Sequence, residues 1–319
     1  MTPASAAAEP GLAARPFLKW AGGKRQLLPE LRRYYPHRVQ SYAEPFLGSG
    51  AVFFDLAARG VLRGARVRLT DRNEDLVACY RAIRDQVEEV IARLRVLEAR
   101  HRRDPELCFY RVRDQQFNPL RRARAERGRS GPPADEAELA ALLIYLNRTC
   151  FNGLYRLNAQ GDFNTPMGRY ANPAICDASN LRAVSRLLGE TAAAIEHADF
   201  ASAAEGAGAG AMAYFDPPYD PVSPTANFRS YTSRGFSAAD QERLQAVVLD
   251  LAGQGARVLV SNSVTPLTTR LYARNDRARA VGLVARRVPA RRAINSRAAG
   301  RGAVQEYIVS NVPPRRRSF

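Results

Sequence analysis

The chain has 319 residues, 46% of them hydrophobic, and a formal net charge of +17. That length holds one large domain, or a core domain carrying an insertion, and the charge calls for a polyanionic partner, most simply DNA or RNA. Four cysteines without metal-ligand spacing (Cys79, Cys108, Cys150, Cys176) and three histidines argue against a zinc site or a disulfide framework, and no apolar run approaches the ~18 residues of a membrane span.

Met1 to Arg15 is rich in Ala and Pro and lacks the basic start and apolar stretch of a signal peptide. It is expected to be a disordered tail on a cytoplasmic protein. The next segment, Phe17-Leu18-Lys19-Trp20-Ala21-Gly22-Gly23-Lys24, holds the only two lysines and the only tryptophan; every other basic residue of the 48 is arginine. An ammonium does not replace a guanidinium fork, so the cluster points to a site rather than to chance.

Residues 25 to 34 are read as a helix with Leu27, Leu28 and Leu31 on one side. Tyr42 to Phe46 reads as a strand, Leu47-Gly48-Ser49-Gly50 as a tight turn, and Ala51 to Ala58 as an apolar helix. Arg66 to Thr70 alternates as a strand and ends at Asp71, 23 residues past Gly48. Such a strand, glycine turn, helix, strand and acid can hold a nucleoside: the backbone approaches the ligand, helix N–H groups face it, and the acid meets ribose hydroxyls. NAD is disfavoured because no Gly-x-Gly-x-x-Gly turn is present. S-adenosylmethionine, which carries no phosphate, fits better. Trp20, Lys24, Phe46 and Gly48 would surround its methionine end, with Lys24 neutralising the carboxylate and an aromatic ring facing the sulfonium.

Helices are expected through Leu76 to Ile83 and Val87 to Leu97, then an Arg- and acid-rich region over 84 to 136 with a mobile loop from Arg121 to Pro133. Leu139, Leu142, Leu143 and Leu146 mark an amphipathic helix, and Asn158-Ala159-Gln160-Gly161-Asp162 a hairpin turn. Further strands are expected at Met212 to Phe215, Arg257 to Ser261, Ala280 to Val288 and Gln305 to Ser310, with a helix over Asp240 to Leu251. Alternating strands and helices imply an α/β fold with a parallel sheet. From Arg257 onward there are 14 arginines against two acids, a balance suited to salt-dependent phosphate binding.

The strand at Met212 to Phe215 ends in Asp216-Pro217-Pro218-Tyr219. Two residues of locked φ would hold a carboxylate, a backbone carbonyl and an aromatic ring in fixed relation. The carboxylate of Asp216 and the carbonyl of Pro217 can accept the two hydrogens of an amino group on a planar base, while Tyr219 stacks on the ring. A plain strand end or an exposed polyproline ligand is the alternative reading of the same four residues.

Taken together, these segments resemble the Dam family, the D12 class of DNA adenine-N6 methyltransferases. The resemblance rests on Phe17 to Lys24, Glu44 to Gly50 and Asp216 to Tyr219 in the family's order. It continues through Leu146 to Arg148, Phe151 to Arg156, Phe163 to Tyr170, Thr225 to Phe228, Ser261-Asn262, Arg292 to Ser296 and Gln305-Glu306. It implies a Rossmann-like S-adenosylmethionine-dependent sheet over 16–73 and 177–312, a mainly helical target-recognition domain over 74–176, and a basic tail over 313–319. It also implies that Trp20, Lys24, Asp71 and Asp216 contact S-adenosylmethionine, with Asp199 and Phe200 beside its adenine, and that Asp216, Pro217 and Tyr219 grip the target base. Lys19, Leu154, Arg156 and Pro166 would read bases, Phe151 and Asn152 would wedge into the duplex, and Asn158 and Arg169 would hold phosphates. Two departures from the family pattern fall in the recognition region: Thr149-Cys150-Phe151 stands where Tyr and Gly are usual, and the loop at 121 to 136 is enlarged.

The implied reaction moves a methyl group from S-adenosylmethionine to N6 of a flipped adenine in duplex DNA, in GATC, leaving S-adenosylhomocysteine and needing no metal. The competing readings are a methyltransferase for an exocyclic amine in RNA or on another base, and a basic DNA-binding protein without catalysis. The expected setting is the cytoplasm and nucleoid of a prokaryote or phage, without membrane attachment. A monomer is the default, and a cognate restriction endonuclease is left open.

Overall fold

A computed structural model describes residues 13–127, 133–220, 236–291 and 303–316. Within them the chain builds seven strands: β1 (Ser41–Glu44), β2 (Arg66–Asp71), β3 (Ala194–His197), β4 (Ala211–Phe215), β5 (Arg257–Ser263), β6 (Val284–Arg291) and β7 (Ala303–Ser310). They form one sheet in the order β3-β2-β1-β4-β5-β7-β6. The first five are parallel; β7 runs antiparallel to both β5 and β6. The sheet grows outward in opposite directions from β1 and β4, so the chain has a topological switch point between those two strands. Ligands of open α/β sheets bind beyond the carboxyl ends of the strands at such a point. β4 is buried at all five positions and shows no alternation, as a strand covered on both faces must. This is the Rossmann-like sheet of S-adenosylmethionine-dependent methyltransferases, with a helical insertion.

The helices are α1 (Leu28–Leu31), α2 (Ala51–Ala58), α3 (Glu74–Asp85), α4 (Val87–Arg103), α5 (Pro105–Arg111), α6 (Asn118–Glu126), α7 (Pro133–Thr149), α8 (Ala178–Glu190) and α9 (Ala238–Gly253). Local chemistry sets several of their ends. The Asn73 side chain accepts from the Leu76 N–H at the start of α3, where Glu74 and Asp75 also complement the helix dipole. Ser237 and Asp240 form a reciprocal capping box on α9. α3 packs against β2 and β3 on one side and against α7 and α8 on the other, so one apolar core is continuous across residue 73.

Several expectations are corrected. The helix expected over 25 to 34 is three short turns, Lys24–Gln26, α1 and Arg32–Tyr34. Pro29 has no N–H to give to Arg25, so one continuous α-helix cannot form there. The strand expected from Ala280 starts at Val284, because Asn275 caps a helical turn over Asp276–Ala280. β3 and α8 have no counterpart in the sequence reading. The loop expected over 121 to 136 is helical up to Glu126 and again from Pro133; residues 128–132 lie outside the described residues. Likewise only 1–12 of the expected N-terminal tail lie outside them: Arg15 pairs with Asp177 at 2.7 Å. Of the basic tail, Arg315 bonds through its backbone to Arg33, and 317–319 are outside the described residues, as are Thr225 to Phe228 and Arg292 to Ser296. Among the described residues no helix is long and apolar enough to cross a membrane.

The helix at 118–126 stays ordered because its arginines are answered. Asp75, buried in the first turn of α3, accepts from Arg121 and from the Tyr155 hydroxyl, and Arg121 also donates to the Gly161 carbonyl. Arg122 pairs with Asp162 at 2.8 Å. Removing Asp75 strands the Arg121 guanidinium, which is 16% exposed. Asp75→Ala should therefore lower the unfolding free energy by about 3 kcal/mol, read by urea titration. A change within ~0.5 kcal/mol would show that the network contributes no net stability.

Candidate active site

The site is assembled at the carboxyl ends of the parallel strands. β1 ends at Glu44, and the chain then turns through Gly48 and Gly50, at φ +48° and +65°. A side chain at Gly48 would place its Cβ 3.0 Å from the Trp20 ring, so only glycine lets the turn pass beneath the indole. Asp71, at the end of β2, accepts from the Gly48 N–H at 3.1 Å and from the Asn73 N–H at 2.9 Å. Burial raises its pKa, and those two backbone donors partly offset the rise.

β4 delivers Asp216. Its Oδ1 lies 2.9 Å from the Lys24 ammonium, an ion pair without aligned hydrogen-bond geometry. Lys24 also donates to the Gly22 carbonyl at 2.6 Å and stands 4.5 Å from the centre of the Tyr219 ring. Burial pushes the Asp216 carboxyl up to about 6, against the opposing pull of Lys24. A second carboxyl, Glu44, is fully buried and accepts from the Tyr42 hydroxyl at 2.6 Å. Burial, opposed by that hydrogen bond and reinforced by the nearby Asp216, raises Glu44 to about 8.

The tetrad after β4 is tied from behind. The Pro218 carbonyl accepts from Gln241, the Asp220 carbonyl from Ser263, and the Tyr219 hydroxyl donates to Glu306 at 2.8 Å. Among the described residues no group donates to the Pro217 carbonyl. Asp216 carboxylate, Pro217 carbonyl and Tyr219 ring thus stand together as two acceptors and a flat face, which is what a planar amine requires.

Beside this corner lies an aromatic group. Phe46 stacks on Phe200 at 5.6 Å, and Phe236 meets each of them at 5.8 Å. Asp199 pairs with Arg243 at 2.9 Å, and the guanidinium covers the Phe200 ring at 4.2 Å. Burial alone would raise Asp199; the Arg243 hydrogen bond and the Ala201 N–H outweigh it and hold the carboxyl below its ordinary range.

The expected DNA-facing residues lie on one loop that meets the N-terminal segment. The Asn147 side chain clamps the backbone N–H and carbonyl of Lys19 (2.8 and 2.7 Å) and also donates to the Gly153 carbonyl. Lys19 lies over the Tyr170 ring at 4.3 Å. Phe151 is half-exposed just past the end of α7, its N–H donating to the Pro166 carbonyl, and Asn152 takes a left-handed φ of 54°. Pro166 and Arg169 are exposed and Leu154 is half-buried. Arg156 is also exposed, with its guanidinium turned onto Asn164. Asn158 closes the expected hairpin turn: its Oδ1 accepts from the N–H groups of Gln160 and Asp162, and Leu157 bridges Phe163.

The sequence reading gave no role to several groups now at the site. Tyr155 stacks on Trp20 at 5.5 Å, Phe236 completes the aromatic group, and Gln241 and Glu306 hold the tetrad. Glu306 belongs to a segment already singled out in the sequence, Gln305-Glu306; Gln241 sits in a plain amphipathic helix and carried no signal.

Residues 20–285 match the D12 class N6 adenine-specific DNA methyltransferase family. The chain is 36% identical to the type II methyltransferase M1.LlaDCHI of Lactococcus lactis subsp. cremoris, over 93% of this chain and 95% of that protein. It is 39% identical to the type II methyltransferase M.MjaIII of Methanocaldococcus jannaschii, over 78% of this chain and 84% of its relative. It is 33% identical to the DNA adenine methylase of Escherichia coli K12, over 82% and 84%. These matches place the chain in the D12 class of N6 adenine-specific DNA methyltransferases, enzymes that methylate DNA with S-adenosylmethionine as donor and S-adenosylhomocysteine as product.

Proposed function

We propose that this methyltransferase extrudes the adenine of GATC from duplex DNA and holds its N6 amino group between Asp216 and the Pro217 carbonyl. The observation that carries this reading is the corner itself: a carboxylate, a carbonyl to which no group among the described residues donates, and a ring, with the neighbouring carbonyls bonded to Gln241 and Ser263. S-adenosylmethionine, when bound, supplies a methyl carbon on a sulfonium that leaves as a neutral thioether.

The chain's own residues fit that donor. Trp20 lies close over the glycine turn, Asp71 presents a carboxylate at the end of β2, and the packed rings of Phe46, Phe200 and Phe236 give an apolar edge beside which an adenine ring is proposed to lie. Lys24 is the ammonium nearest the site and answers a carboxylate, whether that of Asp216 or of an amino-acid ligand.

The lone pair on N6 is delocalised into the adenine ring and is a poor nucleophile. Hydrogen bonds from both amino hydrogens, to Asp216 and to Pro217, favour a more pyramidal nitrogen whose lone pair points away from the ring. Asp216 acts here as an ionised acceptor and by positioning, rather than as a strong base. Extrusion of the base costs a few kcal/mol; stacking on Tyr219 and the wedge formed by Phe151 and Asn152 offset it at roughly 1–3 kcal/mol per stacked contact. Lys19, Leu154, Arg156 and Pro166 are proposed to read the sequence, with Arg169 and the amide nitrogen of Asn158 on phosphates. Lys19 and the recognition loop are locked together through Asn147, so a shift of one moves the other.

Asp216→Ala should keep its affinity for DNA and lose methyl transfer by about 10²–10³-fold or more in single-turnover assays. Turnover near the wild-type level would remove Asp216 from the reaction. The ionised carboxylate is the accepting form, so activity is lost as pH falls through its pKa. A profile of kcat/KM for S-adenosylmethionine, which reports the free enzyme, should show a one-proton acid limb near pH 6. A flat profile down to pH 4.5 would contradict that assignment.

A further inference from the structure

Two short segments that carry no assigned role, Asn262 and Glu306, reach the back of the tetrad. Asn262 is fully buried on β5, and Gln241 is 1% exposed on α9. Their hydrogen bonds have a fixed direction. The Ser263 backbone N–H donates to Asn262 Oδ1 at 2.9 Å. Asn262 must therefore turn its amide nitrogen outward, and it donates to Gln241 Oε1 at 2.9 Å. Gln241 must in turn present its own nitrogen to the Pro218 carbonyl, at 3.1 Å. A backbone donor on β5 thus dictates, through two side-chain amides, that the Pro218 carbonyl is pulled toward α9.

One residue on, the Tyr219 hydroxyl donates to Glu306 Oε2 on β7 at 2.8 Å, and Ser263 Oγ donates to the Asp220 carbonyl at 2.8 Å. Three anchors from three elements therefore bear on three consecutive residues. Successive peptide planes are linked, so fixing the Pro218 carbonyl and the Tyr219 ring leaves the Pro217 carbonyl one orientation.

We propose that Gln241, Asn262 and Glu306 are positioning residues for methyl transfer: they aim the Pro217 carbonyl and the Tyr219 ring at the amino group without touching it. The inference rests on the roles proposed above for Asp216, Pro217 and Tyr219. It assigns Glu306 to the Tyr219 hydroxyl, and the Asn262–Gln241 relay to the backbone.

A double-mutant cycle tests the first arm, with single-turnover methylation, DNA affinity and thermal unfolding measured on each full-length variant. Glu306→Ala should slow the chemical step about tenfold, while KM for S-adenosylmethionine and Kd for DNA stay within about twofold. Glu306→Gln, which still accepts from the hydroxyl, should recover to within about threefold of wild type. Tyr219→Phe should lose as much as Glu306→Ala, and adding Glu306→Ala to it should cost nothing more. A full tenfold loss in the Tyr219→Phe background, or no recovery in Glu306→Gln, would overturn the assignment.

Asn262→Asp tests the second arm. It keeps the shape but removes the donor to Gln241, so the Gln241 amide turns its nitrogen to the new carboxylate and releases the Pro218 carbonyl. A loss of about tenfold or more in the chemical step, with binding retained, is expected; wild-type rates would overturn the relay. Asp216→Ala, run in parallel, separates the two levels. If it is inactive while Glu306→Ala and Asn262→Asp are both fully active, only the positioning inference fails. If it is itself active, the reading on which the inference rests fails.

Discussion

The structure turns on one largely buried ion pair, Lys24 with the half-buried Asp216, at the carboxyl end of β4. Taking a carboxylate out of water is unfavourable, and the Asp216 carboxyl accordingly titrates near 6 despite an ammonium 2.9 Å away. A fold tuned only for stability would place an apolar residue here. Under the proposed function, what the arrangement gains is an acceptor whose Oδ1 meets no aligned donor among the described residues and stays open to the substrate amine. Lys24 keeps the carboxylate ionised at neutral pH without capturing it in an aligned hydrogen bond.

The rest of the molecule keeps that carboxylate in place. β4 is buried along its whole length, so Asp216 directly follows a strand covered on both faces. The switch point between β1 and β4 opens the crevice, and the glycine turn after β1 lets Trp20 lie against the backbone. Trp20 is stacked in turn on Tyr155, whose hydroxyl is held by Asp75 together with Arg121. Trp20 and the hairpin at Asn158 are therefore joined through the Tyr155 ring and the hydrogen bonds on Asp75. Asn147 adds a second link, clamping Lys19 to the loop that carries Phe151 and Asn152.

Much of this was legible in the sequence where local chemistry decides. The tetrad, the glycine turn with Asp71, the hairpin at Asn158 and most strands depend on residues within a few positions of each other, and their patterns read directly. The survival of only two lysines pointed to Lys24, which stands against Asp216. What escaped depends on distance or on a single atom. Pro29 breaks a helix whose apolar spacing reads well. The four-residue β3 is too short to show a period. Gln241 lies 23 positions from the carbonyl it holds, and Glu306 lies 87 from Tyr219. No local pattern announces a buried amide relay. The arginines of α6 read as a mobile charged stretch because their partners, Asp75 and Asp162, are supplied by other segments.

The most direct measurement is a genome-wide map of modified bases after expression in a host without its own DNA methylation. The account predicts N6-methyladenine at the adenine of GATC. Modification confined to cytosine, or DNA left unmodified by a folded protein that binds S-adenosylmethionine, would contradict it.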